Sequence, residues 1–330
     1  MAFSTRRLHR KTHKTITLLL FAFLFFTINY LSNRKSHFIS SSVQLIEPFD
    51  RSSILHITGN QTNLGTISSV YIINLPVRND RRTESIAIMQ ALNLDAFIVP
   101  AYSVLSKEIL SRKQHNFFFK TTELACWASH MRVWITIANT TSCQNNIWSL
   151  VFEDDIDLEM MTPQVIQSIP NSIWNQADLI YLGHCANPAG KLIHQSLKYS
   201  YRIHQARHPS CTHAYAIRSD TARKLVYLLP NPSRPIDDSL VKLVSSHQLI
   251  AYSLHPPLAI QKPVSKNNPS DVNQIDRESW IYYIQFSIYT FVQWLNGVEP
   301  YGKLRNSTLK LANLTKAEFW REKYENGIWK

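Results

Sequence analysis

Trp148-Ser149-Leu150-Val151-Phe152-Glu153-Asp154-Asp155 is the stretch that decides the reading of this 330-residue chain. Residues 148–152 form a short, mostly apolar run, the pattern of a buried strand. The run ends in three consecutive carboxylates. Like charges at one strand end repel, and each raises the pKa of its neighbours. A hard, oxygen-seeking cation such as Mg²⁺ or Mn²⁺ relieves that repulsion. The ends of strands in open α/β sheets are also where ligands bind. The stretch therefore points to a metal-assisted site for a phosphorylated substrate. A plainer reading stands beside it, in which the acids belong to a loop and the first turn of a helix starting near Thr162. There, negative charge suits the helix dipole.

Outward from this stretch, strand and helix alternate. Strands are expected at 70–75, 96–99, 148–152, 178–182, 212–217 and 249–254. Helices are expected at 81–92, 123–138, 219–229 and 237–246. In the first of these, Ile86, Met89 and Leu92 share one face. The alternation predicts a layered α/β domain over residues 69–330, large enough to bury one substantial core. Residues from Trp280 onward are rich in Trp, Tyr and Phe and are expected to pack as helices on that domain.

The N-terminal region bears on the compartment. Arg6, Arg7, Arg10, Lys11 and Lys14 precede an uncharged apolar run at 16–31, about 16 residues long and near the lower limit for a membrane span. No small-residue cleavage pattern follows it, so a signal anchor is expected rather than a cleaved leader. The preceding basic residues place a tail of residues 1–15 in the cytosol. Residues 32–68, polar and without periodicity, read as a luminal stem. A short, Phe-rich span suits a thin early-secretory membrane. Sequons at Asn60, Asn139, Asn306 and Asn313 agree with a lumen. So does the even number of cysteines, Cys126, Cys143, Cys185 and Cys211. Four cysteines allow three pairings. A Cys185–Cys211 disulfide is expected, because both flank strand ends within one stretch.

The net charge of +12 falls to +5 once the seven basic residues before Glu47 are set aside. A weakly basic domain suits a diphosphate-bearing ligand. There is no aromatic-basic nucleic-acid motif, so nucleic acid is not an expected partner.

Two further constellations carry chemistry. In residues 72–82 a strand ends at Asn74, and a loop containing Arg78 opens a helix at Asp80-Arg81-Arg82. Arg forks and helix N-termini both hold phosphate, while Asp80 also offers a plain N-cap. In residues 123–134, Cys126, Ser129, His130 and Val133 fall at helical spacing. This puts a polar pair, Ser129 and His130, on or beside an apolar face.

The ordered blocks resemble glycosyltransferase family 25. They are Ile73-Asn74-Leu75 with Asp80-Arg81-Arg82, Cys126 to Trp134, Phe152 to Asp155, Tyr181-Leu182-Gly183, Thr212 to Tyr215, and Pro235-Ile236-Asp237. The resemblance implies a Rossmann-like fold of the GT-A kind, a divalent cation (Mn²⁺ or Mg²⁺), and inversion at the anomeric carbon. By position, it implies that Asp155 ligates the metal and that Glu153 reaches the metal, a metal-bound water or the ribose. Asn74, Arg78, Asp80 and Asp154 would hold the nucleotide-sugar, with Ser129 and His130 nearby. Asp237 is the candidate general base and Asp238 its reserve, since inversion needs a carboxylate on the acceptor side. Ala125 departs from the glycine often found there. The chain also lacks a C-terminal K-D-E-L-type signal. The expectation is thus a Golgi type II membrane enzyme, with the endoplasmic reticulum second. It would transfer galactose or glucose from a UDP-sugar to a hydroxyl of a glycan or glycoprotein. The alternatives are a catalytically silent family-25-like module that binds glycans or proteins, and a metal-dependent phosphohydrolase.

Overall fold

The computed structural model describes residues 46, 49, 54–59, 64–114, 120–140, 147–185, 189–262, 304–311, 324–325 and 328–329. The chain divides into two compact units, Met1–Leu45 and Ile46–Lys330. The expected tail and anchor (1–31) lie outside the described residues, as do Cys143, Asn60, Asn313 and the aromatic stretch 280–303. No helix among the described residues is long and apolar enough to cross a membrane. Asn139 and Asn306, the two sequon asparagines within them, are both exposed.

In chain order the elements begin β1 (Leu55–Ile57), β2 (Ile67–Asn74), α1 (Asn79–Ala91), β3 (Ala96–Pro100), α2 (Lys107–Gln114) and α3 (Thr121–Thr140). Then come β4 (Trp148–Glu153), β5 (Ile156–Leu158), α4 (Thr162–Ser168), α5 (Asn171–Gln176), β6 (Leu179–Gly183), β7 (Ala189–Ser196) and β8 (Tyr201–Ala206). The rest are β9 (Ala214–Arg218), α6 (Ser219–Leu228), α7 (Ile236–Ser245), β10 (Ala251–His255), β11 (Ala259–Gln261), α8 (Thr308–Leu311) and a separate two-residue pair, β12 (Tyr324–Glu325) and β13 (Ile328–Trp329).

Among the described residues nine strands form one sheet, ordered β1-β3-β2-β4-β9-β6-β10-β8-β7. β3, β2 and β4 are mutually parallel, and so are β6 and β10. β9 lies antiparallel between β4 and β6, so the two parallel groups point the same way. This mixed α/β arrangement fits the expected Rossmann-like fold.

The apolar runs make sense because both faces of the sheet are covered. Trp148, Leu150 and Phe152 of β4 enter one core with Ile88 and Met89 of α1, Val165 and Ile166 of α4, and Trp174 of α5. Val151 points to the opposite core, with Leu124, Ala128, Met131 and Trp134 of α3 and Leu225 of α6. Such strands need no alternation of polar and apolar residues.

Several details differ from the sequence expectation, three of them close to the blocks that carry the site. The sheet begins before residue 69: β1 pairs with β3, and Leu64 and Ile67 are in the core. A three-residue strand is too short to show a period. Helix α1 starts at Asn79, with Arg78 as N-cap and no side-chain cap, so Asp80 is not the N-cap. A helix does start at Thr162, but the three acids are not part of it. Glu153 ends β4, and Asp154-Asp155 form the turn into β5.

Candidate active site

The topology gathers the site at one sheet edge. The C-terminal ends of β2, β4 and β6 meet the start of β9 there. Ala214 is the register partner of both Phe152 and Gly183. The backbone N–H of Glu153 donates to the His213 carbonyl at 2.9 Å.

The three acids have three different environments. Asp154 faces inward, where its carboxylate accepts from Asn74 Nδ2 at 2.7 Å, Arg81 Nη1 at 3.0 Å and the Leu75 N–H at 3.3 Å. Burial pushes its pKa up, and Arg81 and Asn74 oppose the rise. Asp155 is also buried, and its Oδ2 accepts from Gln261 Nε2 at 3.1 Å and Arg81 Nη1 at 3.4 Å. Its Oδ1 is buried with no hydrogen-bond partner among the described residues. Burial, then the negative charge of Glu153, pushes Asp155 up to about 7, with Arg81 opposing. A buried carboxylate oxygen that nothing donates to is an unmet acceptor, and a hard cation meets such a demand. The donor set present therefore fits the divalent ion that the family resemblance implies.

Glu153 is positioned by a relay. Its Oε1 accepts from Thr212 Oγ1 at 3.0 Å and lies 3.3 Å from His130 Nε2. His130 Nδ1 lies 3.0 Å from the Tyr215 hydroxyl, which accepts from Trp134 Nε1 at 2.8 Å. Indole N–H only donates, so the Tyr215 proton is left for His130 Nδ1. Nε2 then carries the proton that points at Glu153. Burial alone would raise Glu153, but the His130 hydrogen bond, with help from His213 and Thr212, holds it below its ordinary value.

Asp237 occupies the first turn of α7. The Cys185–Cys211 disulfide forms as expected, tying the end of β6 to the loop before β9. The Cys211 N–H donates to Asp237 Oδ2 at 3.4 Å, and the Asp238 N–H donates to Oδ1 at 2.9 Å. Burial pushes the Asp237 carboxyl up, and the negative charges of Asp238 and Glu153 add to the rise. Asp237 therefore shares the electrostatic field of Glu153, whereas Asp238 is exposed.

The remaining expected residues are engaged in contacts of their own. Arg78 makes a two-pronged pair with exposed Asp80, at 3.0 and 2.8 Å, and its guanidinium holds Asp80 down at about 2. Ser129 donates to the Ala125 carbonyl and accepts the Tyr102 N–H, pinning the loop after β3 to α3. Asn74 spends its amide donors on Asp154 and the Arg78 carbonyl. Sequence reasoning missed Arg81 as the counter-charge and Gln261 as the orienting donor. Arg81 was visible in the Asp80-Arg81-Arg82 run. Gln261 had no local signal, since it lies 106 residues from Asp155.

The chain is similar to procollagen galactosyltransferase 1 of Danio rerio, 26% identical over 252 residues, covering 69% of this chain and 40% of that protein. It is similar to procollagen galactosyltransferase 1-A of Xenopus laevis, 23% identical over 245 residues, covering 68% of this chain and 39% of that protein. The chain thus spans well under half the length of these relatives. Residues 67–240, which run from β2 into α7 and include every expected site residue, match the profile of glycosyltransferase family 25 (LPS biosynthesis protein). That match covers more than half of the chain, and the chain belongs to this family.

Proposed function

We propose that this chain transfers a hexose, with inversion, from a UDP-sugar to a hydroxyl of a glycan or glycoprotein. The observation that carries the proposal is the pairing of two acid sets. One is Asp155, with its unpartnered oxygen and a carboxyl that burial and the charge of Glu153 push up; the other is Asp237, within the field of Glu153. Transfer with inversion needs this division, with one acid set on the donor side and one on the acceptor side.

Asp155 and Glu153 would hold Mn²⁺ or Mg²⁺, which when bound offsets the charge growing on a departing diphosphate. Gln261 and Arg81 orient Asp155. His130 and Thr212 orient Glu153. Asp237, whose carboxyl burial pushes up, takes the proton from the acceptor hydroxyl. Asp154, Asn74 and Ser129 hold the framework, and Arg78 with Asp80 edges the nucleotide side. The relatives' names favour galactose, with glucose second. In this reading the chain acts in the Golgi lumen behind an anchor at residues 16–31.

Asp237→Asn tests the division of roles. UDP affinity should stay within about two-fold, because the donor side is untouched, while transfer falls by about 10²-fold or more. Transfer at the wild-type rate would move the base elsewhere. A donor panel, UDP-galactose and UDP-glucose first, assigns the sugar by release of UDP.

A further inference from the structure

Two groups of metal-ligating side chains stand close together among the described residues. One consists of Cys185, Cys211 and His213, but both of its sulfurs are consumed in the disulfide. The other is Cys126, His130 and Glu153, with one ligand atom from each within 4.8 Å of the others. Its thiol is free.

We propose that Cys126, His130 and Glu153 form a site for a thiol-seeking divalent cation of the Zn²⁺ class, separate from the hard-cation position at Asp155. Three observations support it. Cys126 and His130 are four residues apart on α3, so both reach the same side of the helix. Glu153 enters from the end of β4, and its Oε1 is 3.3 Å from His130 Nε2. Ligand atoms in a tetrahedral zinc site lie roughly 3 to 4 Å apart, given metal–ligand bonds of about 2.0–2.3 Å, so small side-chain rotations suffice. Finally, Glu153 is only partly buried, which gives the group a route to solvent, and three protein ligands keep a fourth position open.

The ligand types also separate the two positions. A sulfur and an imidazole nitrogen favour Zn²⁺, Co²⁺ or Cd²⁺, whereas an all-carboxylate set favours Mg²⁺ or Mn²⁺. Burial of the Cys126 thiol, reinforced by the charges of Glu153, Asp237 and Asp155, raises its pKa and keeps it protonated. Binding therefore releases the thiol proton to solvent as the sulfur–metal bond forms, and the His130 ring proton moves from Nε2 to Nδ1, where the Tyr215 hydroxyl accepts it, so that the Nε2 lone pair faces the metal. It also takes His130 Nε2 and a Glu153 oxygen out of the relay. Glu153 serves both positions, so occupancy by a soft cation opposes the function proposed above. The binding itself does not depend on that function.

Co²⁺ added to the purified full-length chain under non-reducing conditions tests the site. A thiolate-to-cobalt charge-transfer absorption is expected in the wild type. It should persist in Cys143→Ser, which removes the other cysteine outside the disulfide. It should persist in Asp155→Asn, which disables only the hard-cation position. It should vanish in Cys126→Ser, and Glu153→Gln should need at least about ten-fold more Co²⁺ to reach it. Absence of the band in folded wild-type protein would overturn the proposal without reference to any variant. So would a band that survives in Cys126→Ser or disappears in Cys143→Ser.

Discussion

At the scale of residues, Asp155 carries a buried carboxyl that its surroundings keep far from its ordinary value. Its carboxyl is pushed up to about 7 from 3.8, so the folded chain holds that proton more tightly than the unfolded chain. The linked stability is therefore greatest at low pH and is lost as pH rises from about 4 to about 7. Buried His184 and His255, pushed down to about 3 and about 2 by burial and by neighbouring histidines, act oppositely and cost stability in acid. A difference measurement isolates Asp155. Asp155→Asn should gain stability over wild type progressively from pH 4 to 7 in chelator, and the gap should level off above 7. Urea unfolding across that range checks it, and a gap that shrinks with rising pH would contradict the assignment. Much of this scale was legible in sequence. Three adjacent acids after an apolar run mark the candidate site, and Asp237 stands in the Pro235-Ile236-Asp237 block of the family resemblance. The partition among the three acids was not legible. It depends on Arg81, Gln261, His130 and Thr212, whose approach only the folded chain determines.

At the scale of elements, the site depends on how closely β6, β9 and β11 pack. A Cβ placed on Gly183 would collide with the His213 ring and with the Ala259 carbonyl. The ring can turn, but the carbonyl belongs to β11 and moves only with its strand. Gly183→Ala should therefore destabilise the chain by about 3 kcal/mol. Denaturant unfolding measures it, and a change near zero would mean that this edge yields easily. The elements nearest the site were legible because β2, β4, β6, β9 and β10 are buried on both faces and read as apolar runs. The β7–β8 hairpin was not, because its strands, Ala-Gly-Lys-Leu-Ile-His-Gln-Ser and Tyr-Arg-Ile-His-Gln-Ala, mix polar and apolar residues at the sheet's edge. β5 and β11 were missed because each has only three residues, and they are strands only because they pair with each other.

At the scale of the whole molecule, distant segments are fastened by buried polar groups and one covalent link. The Glu159 carboxylate accepts the backbone N–H groups of Arg305 and Asn306, and Asp157 accepts from Ser307 and the Leu309 N–H. Nothing local in the sequence reveals these contacts, since their partners are some 150 residues away. The disulfide joins residues 26 apart and was legible because both cysteines flank strand ends. Closing a loop of that size contributes about 3 kcal/mol by restricting the unfolded chain. Cys185→Ser with Cys211→Ser should lower the melting temperature by several degrees, as followed by calorimetry. An unchanged melting temperature would mean that the loop is already ordered in the unfolded chain.

The central claim is that Asp155 presents its unpartnered oxygen to a divalent cation that carries UDP. Calorimetric titration of UDP into the full-length chain, with Mn²⁺ and with chelator, tests it most directly when repeated on Asp155→Ala. The account predicts tight binding by wild type only with Mn²⁺, and loss of that increment in a variant whose circular dichroism is unchanged. Mn²⁺-dependent UDP binding that survives in Asp155→Ala, or wild-type binding indifferent to chelator, would contradict it.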